Sequence, residues 1–126
     1  MRGRSQTKWW GGVLEAPDAH VLAEFYSRVL DWPVANTEPG WAVISQPDTD
    51  TYLAFQTSPD YVPPVWPSTP GSQQMMMHLD IEVDDLVTAV GEAIAFGARL
   101  APYQPQDHVR VLLDPAGHPF CLYLDR

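Results

Sequence analysis

The two halves of the chain repeat one pattern of elements and turn residues. GGVLEAPD at residues 11–18 falls on HLDIEVDD at residues 78–85, with Glu15 over Glu82 and Asp18 over Asp85. Further on, WAVISQP falls on VRVLLDP and sets Pro47 over Pro115. A register kept through a strand, a helix start and a turn marks an internal duplication. A unit of this size cannot cover its own sheet, so the chain is restricted to two similar units whose sheets curl toward each other with the helices outside.

Each copy opens on a strand. In MMMHLDIEVDD, Met77, Leu79, Ile81 and Val83 alternate with Met76, His78, Asp80 and Glu82, the period of a half-buried strand. Its counterpart is Trp9 to Ala16. Asp18 and either Asp84 or Asp85 are placed to cap helices through a side-chain oxygen. One apolar stripe runs through Leu22, Phe25, Tyr26, Val29 and Leu30, and the other through Leu86, Ala89, Val90, Ala93 and Ile94. Pro33 ends the first helix, and Gly97 suits the left-handed position after the second. Further strands are expected at 41–46, 51–57, 100–103, 109–113 and 120–124, the last two joined by DPAGH. Many of the 13 prolines sit in SPDYVPPVWPSTPGSQQ, which reads as a connector. The expected fold is α+β. Two tandem βαβββ units, 8–58 and 75–125, flank a connector at 59–74 and form one domain over 1–126, a curled mixed sheet around a cleft with helices at 18–31 and 85–97.

Charge narrows the partners. The formal net charge is -9, and Arg2, Arg4 and Lys8 sit at the start of the chain rather than on a later common face, which argues against nucleic acid and anionic membranes. The opening MRGRSQTKWWGG lacks the apolar run of a signal peptide, no later stretch is long enough to span a bilayer, and the one cysteine, Cys121, cannot form an intrachain disulfide. A cytoplasmic location is expected, with no nucleic acid or membrane partner.

PDAHVLAEFYSRVLDW, HLDIEVDDLVTAV and LLDPAGHPFCLYL, taken in this order, resemble the vicinal oxygen chelate superfamily of glyoxalase, bleomycin-resistance and extradiol dioxygenase proteins. The connector together with HLDIEVDD is similar to its small glyoxalase-like branch. The resemblance implies one divalent metal held by a His, Gln or Glu at the front of the first strand of each half and by a carboxylate or amide on each last strand. Those positions here are Gly11, His78, Cys121 and either Leu53 or Ala54. Only His78 matches, so no metal site and no cofactor are expected, beyond a weakly bound divalent metal that Gln56 or Asp80 would help to hold.

Three functions are compatible with these residues. One is a metal-free protein that binds a small, partly aromatic molecule. The second is a lyase, isomerase or dioxygenase with an altered metal site, and the third is an enzyme using His78 as general acid or base. The pocket is expected to be lined by Trp9, Gln56, His78, Arg110, Cys121 and Tyr123, with Trp66 at its mouth. Glu15 and Glu82 read as solvated carboxylates and His118 as part of a turn. Open sheet edges imply a homodimer.

Overall fold

The computed structural model describes residues 1–125. They form two compact units, the first Met1–Tyr61 and the second beginning at Val62. The first contains β1 (Trp10–Ala16), α1 (Ala19–Leu30), β2 (Val34–Glu38), β3 (Trp41–Ser45) and β4 (Thr51–Thr57); the second contains β5 (Leu79–Glu82), α2 (Leu86–Phe96), β6 (Arg99–Leu100), β7 (Val109–Leu113) and β8 (Pro119–Tyr123). Both sheets have the same topology, β1-β4-β3-β2 and β5-β8-β7-β6. In each, the first strand runs parallel to the last and the other pairings are antiparallel. The two tandem βαβββ units expected from the repeat are therefore present.

Local chemistry explains the boundaries. Asp18 caps α1 by accepting from the His20 and Val21 amides, and Asp85 caps α2 through the Thr88 amide and hydroxyl. Gly97 ends α2 at φ 126, whereas α1 ends on Asp31 at φ 56, a left-handed position that aspartate tolerates better than most residues. Leu22, Phe25 and Tyr26 bury the α1 stripe against Ile44 and Phe55 of the first core, where the Tyr26 and Phe55 rings stack. Phe120, Leu112 and Leu122 form the matching layer in the second unit. No described helix is long and apolar enough to cross a membrane.

Strand β2 had no expected span, and β5 and β6 depart most from theirs. Strand β2 has no apolar alternation: all five residues are exposed, and it is an edge strand with a bulge between Val34 and Asn36. It is held from outside its ladder, since the Nε2 of His20 on α1 lies 2.8 Å from the Glu38 carbonyl oxygen and 3.1 Å from that of Trp41. Strand β5 starts at Leu79 rather than Met75. Its partner β8 begins at Pro119, which has no N–H to extend the ladder past the Leu79–Phe120 pair.

Strand β6 has only two residues, because Pro102 and Pro105 interrupt the segment after it. A side chain replaces the missing ladder: the Gln104 amide donates to the Ala101 and Val111 carbonyls, and its oxygen accepts from the Val111 amide at 2.9 Å. Gln104→Ala strands the Val111 N–H and should cost roughly 1–3 kcal/mol in urea unfolding. Gln106→Ala, at an exposed position on the same loop, should stay within about 0.5 kcal/mol of the parent.

Candidate functional site

Strand register decides which side chains can meet. Asp80 on β5 pairs with Cys121 on β8, and Cys121 pairs in turn with Val111 on β7. His78 lies one residue before β5 and brings its ring beside the Asp80 carboxylate. His78, Asp80 and Cys121 thus converge, with one ligand-capable atom from each lying within 4.8 Å of the others. The His78 Nε2 is 3.1 Å from the Asp80 Oδ1. Around them an open pocket of about 470 Å³ is lined also by Gln106, His108, Val109, Tyr123, Leu124 and Asp125, all within the second unit.

Asp80 is the hub of this cluster. Its carboxylate faces the His78 imidazole on one side and accepts a hydrogen bond from the Cys121 thiol on the other. The His78–Asp80 pair is partly solvated, at 39% and 58% side-chain exposure, so it orients the ring more than it stabilises the fold. Cys121 is half-buried. Burial first, then the Asp80 charge and hydrogen bond, push its thiol up to about 11, so it is protonated at neutral pH and is not a ready nucleophile.

The residues singled out from sequence divide between the units. His78, Cys121 and Tyr123 line the second-unit pocket. Arg110 lies on the opposite face of β7, beside Leu122, and its Nη1 donates to the Gln106, Asp107 and Val109 carbonyls, which holds the loop carrying Gln106 and His108. Trp66 packs against Tyr103 with ring centroids 5.7 Å apart. Trp9 and Gln56 belong to the first unit. There Trp9 joins Trp41, Val43, Ser45 and Tyr52 around a smaller hollow of about 290 Å³, while Gln56 is exposed beside Trp41 and Glu15. Gln106 and His108 were missed because the loop between β6 and β7 has no periodicity to read.

Register also resolves the first unit's counterpart of Cys121. Val13 pairs with Ala54 as Asp80 pairs with Cys121, so the position is Ala54 rather than Leu53. Gly11, Val13 and Ala54 therefore stand where the second unit has His78, Asp80 and Cys121, and none of the three offers a metal ligand. Gly11 is also obstructed. A Cβ there would collide with the Tyr52 carbonyl oxygen and lie 2.6 Å from the Tyr52 Cδ2.

The raised thiol pKa has a direct readout. In metal-free protein the alkylation rate of Cys121 should rise about tenfold per pH unit with no plateau below about pH 10, whereas an ordinary thiol levels off once pH passes roughly 8.5. Asp80→Asn removes a charge that opposes the thiolate and should move the profile to lower pH. A plateau near pH 8.5 in the parent chain would place Cys121 away from both burial and Asp80.

Comparison with known proteins agrees with this architecture. Residues 11–123 match the model of the glyoxalase-like domain. Sequence comparison with curated proteins finds no match. Among solved structures, a glyoxalase/bleomycin resistance protein/dioxygenase family enzyme from Burkholderia phytofirmans PsJN is 19% identical with a TM-score of 0.66, covering 95% of this chain and 98% of that one. The fosfomycin resistance protein FosX from Mesorhizobium loti is 13% identical with a TM-score of 0.66, covering 100% and 94%. A third, Oxidase ChaP-H2, is 17% identical with a TM-score of 0.64, covering 97% and 96%. At these identities the likeness establishes the fold. With the family model spanning nearly the whole duplication, the chain belongs to the glyoxalase-like family.

Proposed function

We propose that the second unit binds a small, partly aromatic molecule in the pocket around His78, Cys121 and Tyr123. The observation that carries this reading is the convergence of a polar cluster and an aromatic ring on one concave surface. Its volume of about 470 Å³ falls in the range of small-ligand sites, roughly 300–1,000 Å³. Val109, Leu124 and the Tyr123 ring supply apolar wall, while His78, Asp80 and Gln106 supply directional polar contacts. Asp80 and Asp125 in the lining, with a net charge of -9, favour a neutral or cationic ligand. The first unit adds no metal ligand at Gly11 or Ala54, so binding proceeds without the family's full metal site. The single Cys121 suits a reducing, cytoplasmic location, and the open sheet edges favour a homodimer, checked by sedimentation at micromolar concentration.

A second reading has its own observation. Because Asp80 engages the His78 Nε2, the Nδ1 is left as the nitrogen to accept or give a proton, the arrangement of an oriented general base. The chain would then be a lyase, isomerase or dioxygenase of its superfamily.

Titration of untagged protein with a panel of small aromatic amines and neutral phenols, monitored by thermal shift and calorimetry, tests both readings. At ligand concentrations of 100 times Kd, stabilisation of about 2.7 kcal/mol is expected. Tyr123→Ala should weaken binding about tenfold or more, while Val87→Ala, on the exposed face of α2, should have no effect. Turnover that His78→Ala abolishes with ligand binding retained would establish the enzyme. Equal affinity in the parent and Tyr123→Ala would remove the pocket from the account.

A further inference from the structure

The metal that the superfamily resemblance implies has a poor fit to the first unit and a different one to the second. Gly11, Val13 and Ala54 carry no ligand atoms, and Tyr52 closes the space a side chain at Gly11 would need. The second unit offers an imidazole nitrogen, a carboxylate oxygen and a sulfur. Ions such as magnesium and calcium want six or more oxygen ligands, and the only oxygen ligand among these three residues is a single carboxylate. Sulfur with imidazole and one carboxylate is instead a donor set for zinc and its thiophilic neighbours.

We propose that His78, Asp80 and Cys121 bind one thiophilic divalent cation, zinc in the first instance, within the second unit alone. The geometry is close to what the ion requires. Two ligands each about 2.0–2.1 Å from a tetrahedral zinc stand roughly 3.3 Å apart. His78 Nε2 and Asp80 Oδ1 stand 3.1 Å apart, and the Cys121 sulfur completes a set confined within 4.8 Å. The Asp80–Cys121 pairing in the β5–β8 ladder fixes two of the ligands, and His78, one residue before β5, stands against the Asp80 carboxylate. As the ion binds, the sulfur–metal bond replaces the S–H bond and the proton leaves to solvent. Three protein ligands beside an open pocket leave the fourth position to water or to a pocket ligand. This inference does not rest on the small-molecule reading: a chain that binds zinc and no organic ligand bears it out, and organic binding without zinc sinks it alone.

Untagged protein, stripped with chelator under reducing conditions, is titrated with zinc against a chromophoric chelator and separately with cobalt(II). One zinc per chain is expected. Cobalt should give intense tetrahedral visible bands and a near-ultraviolet sulfur-to-cobalt charge-transfer band, the latter absent in Cys121→Ser. Asp80→Asn and His78→Gln, at exposed positions that leave the core intact, should each weaken zinc by more than the roughly 10–100-fold that loss of an outer-shell partner costs. Circular dichroism confirms that each variant is folded. Zinc affinity unchanged in Asp80→Asn and His78→Gln, a cobalt complex without the charge-transfer band, or no binding at micromolar zinc would each overturn the proposal.

Discussion

The parallel pairing of the first and last strands in each unit is the contact on which the rest depends. Parallel neighbours cannot be joined by a tight turn, so the chain must travel through a helix and two more strands before β4 can lie beside β1, or β8 beside β5. That detour places the helix on one face of the sheet, where Leu22, Phe25 and Tyr26 meet Ile44 and Phe55. The other face is left to side chains from strands distant in sequence. Asp80 and Cys121 are neighbours only because the β5–β8 ladder sets them in register. A slip of one residue would turn Cys121 to the helix side and put Leu122 or Phe120 in its place.

Asp80 has more than one role within that register. Without an ion it accepts from the Cys121 thiol and faces the His78 Nε2, so one carboxylate organises two otherwise independent groups. Its charge opposes ionisation of the thiol, which suppresses adventitious cysteine chemistry. A bound cation reverses that logic, since thiolate and carboxylate are then both drawn to the same positive charge. The same three residues are thus an inert hydrogen-bonded cluster or a ligand set, according to what occupies the pocket.

Much of the fold was legible because duplication supplied two readings of each element. Strands 51–57 and 109–113 coincide with β4 and β7, and the helices fall within a residue of the expected spans. Features without periodicity could not be read. Strand β2 is wholly exposed, β6 is two residues long, and a glutamine side chain carries the hydrogen bonds that backbone would otherwise carry there. At the site, the alternation through MMMHLDIEVDD put His78 and Asp80 on one side, but the pairing of Asp80 with Cys121 was not visible in either segment alone. Arg110 shows the opposite difficulty: it was placed as an inward strand position, while its parity on β7 sets it on the far face, bracing the loop that carries Gln106 and His108.

The two units also show how equal backbones can carry unequal chemistry. Their registers match position for position, so Tyr52, which pairs with Gly11, corresponds to Pro119, where the β5–β8 ladder stops. The Tyr52 ring and carbonyl fill the volume beside Gly11, and an aromatic hollow with Trp9 and Trp41 results. Proline at the corresponding place has no aromatic ring and no N–H, and its neighbour His78 lines the open pocket. Apolar contact has therefore gathered in one copy and ligand-capable side chains in the other. Restoring a histidine at Gly11 would require Tyr52 to move as well, because the obstruction includes backbone that β4 holds in two ladders.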